Sequence, residues 1–480
     1  MNTLIRSLSL GALAAALTAC AAGPDYVRPS APVAASFKEA PQGWQAAQPG
    51  DGVPRGAWWE VYGDKTLDDL VAQVAVNNQN LKAYEAAYRQ ATAVVAEARS
   101  GYSPTVSLAP SATRQRTGSS TTGATTTRST RAVELSGTWE PDLWGKVRRQ
   151  VESDKAAAQA SAAELADLTL SAQAELVTDY LDLRYQDSLA QLLDETTKAY
   201  ERSLTITQNQ YTAGTVSRAD VITAQTQLAT ARASAIATGQ LRAQYEHAIA
   251  LLIGKPPSEL TIAVQPLDIS LPEVPGVLPS TLLQRRPDIA EAERTMQQQN
   301  ALIGVAQAAW YPSLTLTGEA GYSGLGKLFS ASNAIWSLAA SASETLIDGG
   351  ARSADVAAAR AGYDQSVANY RQTVLAAFQD VEDELSTLRV LGDQAVAQDE
   401  ALRLARQAET VARNEYQAGT VDYTTVVTAQ ATALSNAQSA LQVRRDRLLA
   451  SASLIRAVGG GWSDTDLPMA EATPRGAAQP

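Results

Sequence analysis

The stretch Tyr211-Thr212-Ala213-Gly214-Thr215-Val216 decides the fold because it occurs twice, returning 205 residues later as Tyr416-Gln417-Ala418-Gly419-Thr420-Val421. Val221–Gln225 returns at the same offset as Val426–Gln430. A glycine just past a helix end adopts the left-handed backbone without steric cost. Each copy therefore predicts a sharp turn between two helices, and the chain predicts two αα-hairpins whose turns lie at one end of the molecule.

The residues after each turn are suited to start the returning helix. Ser217 or Asp220 in the first copy, and Asp422 in the second, offer side-chain oxygens to the free backbone N–H groups of a helix N-terminus. Further upstream the offset between the copies grows slightly, since Pro104 corresponds to Pro312, 208 residues later. The repeat units are thus long supersecondary units with small insertions.

The segments that flank the turns predict unusually long helices. No proline occurs from about Val147 to Gln210, and apolar residues recur there at helical spacing. At 1.5 Å per residue this helix would reach roughly 95 Å, and Arg352 to Gln417 has the same character. Helices this long are typical of coiled coils. Shorter leading helices are expected over 67–99 and 287–309, the second beginning at a proline.

Four segments alternate apolar or small residues with polar ones, as a strand with one lipid-facing side does. The clearest runs from Pro312 to Tyr322, and strands are expected at about 103–112, 132–143, 312–322 and 335–346. Residues 114–128 are expected to form a polar loop outside the cell. A soluble, half-buried sheet would show the same alternation. Aromatic residues near the strand ends are expected to form a membrane girdle: Trp139, Trp144, Trp310, Tyr311, Tyr322 and Trp336.

Strand number predicts an oligomer. Open sheet edges are not tolerated in lipid, and the smallest single-chain outer-membrane barrels have about eight strands. Two copies of this chain would give about eight strands and a filled interior, whereas three would give about twelve and room for a duct. A transport protein requires the latter.

The N-terminus predicts a lipoprotein signal over residues 1–19. Arg6 precedes an apolar run that ends in Leu17-Thr18-Ala19-Cys20, and the chain's one cysteine falls at the cleavage point. Its thiol would carry the lipid, giving an acylated, palmitate-bearing N-terminus. The alternative is an ordinary signal peptide with an incidental cysteine. No aspartate follows Cys20 directly, which favours the outer membrane.

Composition argues against several function classes. One histidine (His247), one cysteine and three methionines among 480 residues leave no basis for His-rich metal sites or catalytic triads beyond His247 itself. That histidine lies in a helical stretch without a partner motif, so a structural role is expected. A net charge of −11 and a pI near 4.9 argue against nucleic-acid binding. No enzyme activity, metal or cofactor is predicted apart from the covalent lipid on Cys20. No apolar run near 18 residues follows the signal, so no transmembrane helix is expected.

A series of motifs resembles a known family. They are Cys20 with Gly23-Pro24-Asp25-Tyr26, Trp58-Trp59, Leu282-Leu283-Gln284-Arg285-Arg286-Pro287-Asp288-Ile289, Ile303-Gly304, Tyr311-Pro312-Ser313, Val381-Glu382-Asp383 and the two turns. In this order they resemble the outer-membrane factors (TolC-like) of tripartite efflux systems, and more closely the lipoprotein branch that serves resistance-nodulation-division pumps. The resemblance runs from Cys20 to about Gly461.

The resemblance implies an α+β membrane protein. Three protomers would build a 12-stranded transmembrane β-barrel, four strands from each, continued by a long periplasmic α-helical barrel of coiled coils with a mixed equatorial domain. It implies a wrapping segment at 20–66, repeats at 67–254 (long helices about 146–253) and 287–460 (long helices about 350–458), an equatorial linker at 255–286 and a tail at 461–480.

The implied function is a passive exit duct for drugs or other small toxic compounds. The implied partners are a periplasmic adaptor, an inner-membrane resistance-nodulation-division pump and outer-membrane lipid. Two alternatives remain: the exit duct of an ATP-driven type I protein secretion system, and a non-channel coiled-coil tether between envelope layers.

The resemblance also implies a gate and an adaptor-docking surface at the hairpin tips. Asp220 matches a position that family members use to hold the tip closed, and Tyr416 matches its aromatic partner. Where many relatives place arginine or pore-facing aspartates, this chain has Val421, Thr425 and Thr428. A strong acidic ring at the entrance is therefore not expected. The expected tip residues are Tyr211, Gly214, Ser217, Asp220, Tyr416, Gly419, Thr420 and Asp422.

Overall fold

A computed structural model describes residues 21–34, 36–40, 57–118, 125–272, 285–325, 328–463 and 467. Cys20 and the signal lie outside these residues. Within them the chain forms seven α-helices: α1 (Lys65–Asn77), α2 (Gln79–Ser100), α3 (Lys146–Thr212), α4 (Arg218–Leu252), α5 (Pro287–Ala308), α6 (Ala351–Gln417) and α7 (Tyr423–Ala457). The described strands are β1 (Thr105–Gly118), β2 (Thr125–Trp139), β3 (Ser313–Gly324) and β4 (Ala334–Ser343).

The two long helices have the predicted positions. α3 and α6 contain 67 residues each, which corresponds to about 100 Å at 1.5 Å per residue. Both begin after a glycine with a positive φ, Gly145 and Gly350. α3 and α4 pack against each other as one hairpin, α6 and α7 as the other, and contacts between α3 and α7 join the hairpins into one layer.

The first leading helix differs from the prediction of one helix over 67–99. It breaks at Asn78, whose backbone is extended (ψ 122°) and whose side chain accepts hydrogen bonds from Asn80 N (2.9 Å) and Leu81 N (3.2 Å). Its amide also donates to the Leu252 carbonyl at the end of α4 (2.9 Å). Asn78 thus caps the start of α2 and the end of α4, a tertiary role that helical periodicity does not show.

This junction stacks the short helices end to end. The end of α4 meets the start of α2, and a side chain at Gly254 would collide with the Asn77 carbonyl. In the second repeat the end of α7 meets the start of α5, and a side chain at Gly459 would collide with the Arg285 carbonyl. Gly254 and Gly459 are again 205 residues apart. Each repeat therefore behaves as one long helix packed beside one composite helix.

The four strands form one antiparallel sheet in the order β1-β2-β3-β4. β1 and β2 are longer than predicted, because Arg114–Gly118 pairs with Thr125–Ser129 in regular register. The sequence placed these residues in a polar loop. β-branched threonines favour strands even where both faces are polar, so the hairpin continues past the apolar segment.

A belt of core residues surrounds the middle of α3. The turn Trp58–Tyr62, α1 and the extended segment 260–269 pack there against Leu176, Tyr180 and Leu183. Under this belt Asp187, 1% exposed, accepts hydrogen bonds from Arg242 Nε (2.7 Å) and Gln265 N (3.1 Å).

Residues 21–34 and 36–40, here called the N-terminal strap, lie along α5 and α6. Arg149 on α3 donates to the Ala22 carbonyl (3.0 Å) and to Asp25 (2.7 Å), and Arg28 bridges Glu293 (3.1 Å). Farther along, Phe37 packs edge-on against Phe378 with ring centroids 6.4 Å apart. Among the described helices, none is long and apolar enough to cross a membrane.

Candidate functional site at the hairpin tips and the sheet

Both hairpin turns have the same backbone geometry. Gly214 and Gly419 share a φ of 74°. Gly214 N donates to Tyr211 O (2.9 Å) and Thr215 N to Gln210 O (2.9 Å), and the same pair of bonds recurs at Gly419 and Thr420 (3.0 Å each). These bonds satisfy the last carbonyls of the incoming helix, and any side chain at the glycine would strain the backbone. The repeated sequence thus encodes one turn used twice.

The returning helices are capped differently. Ser217 and Asp220 form a reciprocal capping box, with Asp220 N donating to Ser217 Oγ (3.2 Å) and Ser217 N donating to Asp220 Oδ2 (2.9 Å). In the second turn Asp422 Oδ1 accepts from Thr425 N and Thr425 Oγ1, both at 3.0 Å. Both acidic side chains are therefore engaged in their own turns, and within the described chain they form no ring of free carboxylates.

An apolar cluster joins the two tips. It is built from Ala224 of the first hairpin and from Tyr416, Tyr423 and Val426 of the second. The rings of Tyr416 and Tyr423 are 5.3 Å apart at a 56° angle. Burial raises the pKa of Tyr423 to about 12, and it also raises that of Tyr416, with a further contribution from the negative charge of Asp220. Both phenols thus stay protonated in the physiological range.

The structure brings Asp220 and Tyr416 to the same tip without a hydrogen bond between them in the described chain. The Asp220 carboxylate instead accepts from Ser217 Oγ (3.0 Å) as well as from Ser217 N. Its influence on Tyr416 is electrostatic and acts across the cluster. Asp220 and Tyr416 are therefore close to each other within one protomer, but they are not bonded to each other.

The two repeated tyrosines have unequal environments. Tyr416 is 7% exposed, whereas Tyr211 is 46% exposed. Thr215 and Thr420 are exposed at the turns, each with its hydroxyl donating to a carbonyl of the last helical turn (2.9 Å). The turns therefore present near-identical backbones and different aromatic surfaces.

Sequence reasoning missed several tip residues. Tyr423 is one of the two rings of the aromatic pair, but the equivalent residue 205 positions earlier is Arg218. Comparison of the two repeats therefore did not point to Tyr423. Gln430, 3% exposed, accepts from Gln227 (3.2 Å) and donates to Ser203 (3.2 Å), tying α7 to both helices of the first hairpin. In the sequence, the feature that could have indicated this role of Gln430 is a glutamine placed within an apolar helical stripe.

The sheet, at the other end of the helices, has one apolar face and one polar face. The register aligns side chains on the apolar face across the four strands in rows such as Leu108, Leu135, Ala320 and Trp336. Trp336 and Leu338 on this face are 78% and 81% exposed. The opposite face carries hydroxyls, including Ser107 and Ser136, which hydrogen-bond at 2.8 Å. The predicted alternation therefore holds across all four described strands as far as the row of Val133 and Tyr322, beyond which both faces of the β1–β2 hairpin are polar.

Aromatic side chains gather where the sheet meets the helices. Trp144 stacks on Tyr311 with centroids 4.8 Å apart and donates to the Pro312 carbonyl (2.7 Å). Trp139 donates to the Tyr102 carbonyl (3.1 Å). Tryptophan and tyrosine with a bonded polar edge suit a membrane–water boundary. The N-terminal strap begins at the same level, where Ala22 N donates to the Trp144 carbonyl (2.9 Å).

No group of three or more histidine, cysteine or acidic side chains in the described ranges is arranged to hold a metal ion. The geometry instead consists of a sheet with an apolar face, a helical layer about 100 Å long and two turns at its far end.

Comparison with known proteins decides the family. The model of the "Outer membrane efflux protein" family matches residues 70–255 and 278–460, one match for each repeat. The chain belongs to the outer membrane efflux protein family. Both matched ranges contain a leading helix, two strands and a hairpin, so the family unit is the repeat described above.

The chain is similar to named efflux proteins and to solved outer-membrane channels. It is 31% identical over 472 residues to the antibiotic efflux pump outer membrane protein ArpC of Pseudomonas putida, covering 95% of both chains. It is 29% identical over 460 residues to the cation efflux system protein CusC of Escherichia coli, covering 94% of this chain and 97% of CusC. The solved outer-membrane channel OprN superposes with a TM-score of 0.85 at 29% identity, covering 92% of this chain and all of that one.

These matches confirm the predicted family, fold class and location. The protein is an α+β channel protein of the Gram-negative outer membrane, with four strands among the described residues and a long periplasmic helical region. It serves efflux, and its family is one of transport channels.

Proposed function

We propose that this protein is the passive, non-catalytic exit duct of a tripartite efflux pump, with no cofactor beyond a covalent lipid. The observation that carries the proposal is the continuity of three parts in one chain: an amphipathic sheet, helices long enough to extend far into the periplasm, and two equivalent turns at the far end. A non-channel tether between envelope layers has no use for an apolar face that all four described strands share.

The duct requires a homotrimer. β1 and β4 are the edges of the described sheet, and unpaired backbone groups at such edges are not tolerated in lipid. Pairing β1 of one protomer with β4 of the next closes a sheet of twelve strands after three copies, wide enough for a water-filled interior. The hydroxyl-bearing face then lines the duct, and the face with Leu108 and Trp336 contacts lipid.

The lipid anchor is supported by where the strap begins. Ala21 lies against Gly145, where a side chain would approach the Ala21 Cα to 3.0 Å, and Trp144 and Tyr311 lie next to it. An acyl chain on Cys20 would therefore start at the aromatic boundary of the sheet. Acylation there would anchor the strap to the membrane at the boundary where the sheet enters it.

The hairpin tips form the gate and the docking surface for a periplasmic adaptor, which joins the duct to an inner-membrane resistance-nodulation-division pump. Their turns are exposed and lie at the end of the helices opposite the sheet. The carboxylates of Asp220 and Asp422 are both hydrogen-bonded within their own turns. This supports a gate that is held closed by apolar packing around Tyr416 and not by a ring of charged side chains.

The duct itself does not choose the substrate. Relatives at nearly equal identity are named for antibiotic and for cation efflux. A shared architecture that serves such different compounds leaves selection to the pump and adaptor. We therefore propose small toxic compounds as the substrate class.

The test is site-specific capture in the native envelope. Thr420→Cys places a photocrosslinker on the exposed second turn, and Ser100→Cys, exposed at the sheet end of α2, is the matched control. We expect Thr420→Cys alone to capture the adaptor of a proton-driven pump, identified by mass spectrometry. Capture of an adaptor of an ATP-driven protein exporter would assign the duct to secretion. Capture of peptidoglycan-linked proteins alone would support a tether.

A further inference from the structure

Arginines cluster on the β1–β2 hairpin beyond the apolar segment of the sheet. Arg114, Arg116, Arg128 and Arg131 all lie there and are exposed. The sequence contains no acidic residue from Ser103 to Val133 and none from Ala320 to Ser343, although the whole chain has a net charge of −11. This end of the sheet therefore carries a local excess of basic residues in an acidic protein.

The strand register separates these arginines by face. Arg114 pairs with Ser129 and Arg116 with Thr127, while Arg131 pairs with Ala112. These positions continue the same alternation as Val106, Leu108 and Leu135, so the three arginines share the apolar face. Arg128 pairs with Gln115 and lies on the opposite, polar face.

The order along the apolar face matches a membrane boundary. Leu135 and Ala320 form one row, Val133 and Tyr322 the next, and Arg131 and Gly324 the row after that. Tyr322 contacts Phe329 edge-on, with centroids 5.4 Å apart. Apolar side chains thus give way to aromatic ones and then directly to arginine.

The three arginines have no anionic partner within the described residues. The Arg116 guanidinium donates to the neutral Thr125 hydroxyl (3.2 Å), and Arg114 and Arg131 form no ion pair there. Cross-strand diagonal neighbours and alternate residues of one strand are about 7 Å apart. Guanidinium groups at this spacing can bind several phosphate oxygens, each through paired N–H donors.

We propose that Arg114, Arg116 and Arg131 form a binding site for the phosphate groups of a phosphorylated glycolipid in the outer leaflet. The inference rests on the proposed function, because it takes the apolar face of the sheet as the lipid-facing side. Charge complementarity and position select the ligand: only a headgroup anchored in the same leaflet meets the row just beyond Tyr322. Arg128, facing the duct, takes no part.

The experiment measures binding of bis-phosphorylated lipid A to the purified trimer in nanodiscs, by native mass spectrometry, against the same lipid after phosphatase treatment. Each basic residue near an anionic lipid surface contributes roughly fivefold in affinity. We expect R114Q to weaken binding about fivefold, R114Q/R116Q/R131Q about a hundredfold, and R128Q not at all. Dephosphorylated lipid should bind the native protein as weakly as the triple variant binds the phosphorylated lipid.

R114Q and R128Q each remove one positive charge from the same hairpin, but from opposite faces of the sheet. A difference in their affinities therefore reports the face on which the lipid binds and not the total charge. Equal weakening by the two variants, or equal affinity for both lipids, would overturn the proposed site. Ion conductance in planar bilayers is recorded for every variant. Failure of both the native protein and Tyr416→Ala, which removes the packing that closes the tips, to conduct would refute the proposed duct, whereas conductance without phosphate preference would refute only the glycolipid site.

Discussion

Tyr416 and Tyr211 occupy equivalent positions in the two repeats, but only Tyr416 packs into the tip cluster. Tyr416→Ala would leave a cavity between the hairpins, a change that costs about 3 kcal/mol or more for a buried aromatic side chain. We expect increased leak of bulky antibiotics through the duct and higher resting conductance in planar bilayers. Tyr211→Ala is the matched control and should leave both unchanged. Equal leak from the two variants would contradict a gate built on the cluster.

Asp220 acts at the same tip through the capping box. Asp220→Ala removes an acceptor for Ser217 N and Ser217 Oγ, and losing such a cap costs about 1 kcal/mol. We expect a smaller increase in antibiotic leak than for Tyr416→Ala, measured by growth inhibition. Asp220→Asn, which keeps a side-chain acceptor, should recover part of the barrier. Unchanged permeability in both Asp220→Ala and Tyr416→Ala would refute the gate assignment.

Asp179 gives the helical region a pH dependence. Its burial, together with the nearby carboxyl groups Glu175 and Asp182, raises its pKa to about 7, whereas an unfolded aspartate titrates at about 3.9. The folded state binds this proton more tightly, so stability falls as pH rises from about 4 to about 7. We expect Asp179→Asn to raise the melting temperature at pH 8 and to flatten its dependence between pH 5 and 8. The exposed Glu195→Gln should not; an unaltered pH profile in Asp179→Asn would contradict this account.

At the scale of elements, the belt depends on a buried charge. Asp187→Ala would leave Arg184 and Arg242 without their shared carboxylate, which costs about 3–5 kcal/mol for a buried pair. The exposed pair of Glu400 and Arg403 on α6 is the control, and Glu400→Ala should leave the free energy of unfolding nearly unchanged because water screens an exposed pair. Urea unfolding of the purified protein measures both. Similar midpoints for the two variants would show that the belt is held by its apolar core alone.

The N-terminal strap depends on close backbone approach. A methyl group at Gly304 would lie 2.6 Å from the Ala22 carbonyl oxygen and 2.7 Å from Arg149 Cγ, so Gly304→Ala should displace the strap from α5. We expect faster cleavage of residues 21–40 in limited proteolysis. Gly392→Ala in α6 meets open space and should stabilise its helix by up to about 1 kcal/mol. Equal cleavage rates in the two variants would contradict the strap packing.

The sequence predicted elements well where the signal is local. Proline-free helical periodicity located α3 and α6 to within two residues, and the turn motif located both tips. It missed the break at Asn78 and the length of the β1–β2 hairpin, because the first depends on a contact with Leu252 and the second on cross-strand pairing of polar residues. Among the site residues, the repeat identified Tyr416 but not Tyr423, and nothing in the pattern distinguished buried Tyr416 from exposed Tyr211.

At the scale of the whole molecule, the length of the hairpins sets how far their tips extend from the sheet into the periplasm. Removing seven residues from each of α3, α4, α6 and α7 preserves the register of a coiled coil and shortens the periplasmic part by about 10 Å. We expect insertion and trimer assembly to persist, whereas capture of the adaptor at Thr420→Cys and efflux-dependent resistance should be lost. Cutting α3 and α4 alone would misalign the tips and should prevent trimer assembly. Full resistance with both hairpins shortened would show that reach is not what couples the duct to its pump.

The doubled turn also fixes the symmetry of the far end. Three chains with two hairpins each present six tips of almost the same backbone shape, so the assembly is nearly sixfold there although it is threefold in the sheet. Exposed Tyr211 and buried Tyr416 alternate around this ring. A partner that recognises the turn alone would bind six times, and one that recognises the tyrosine surface would bind three times. The stoichiometry of the assembled machine is thus decided by which of these features its partner contacts.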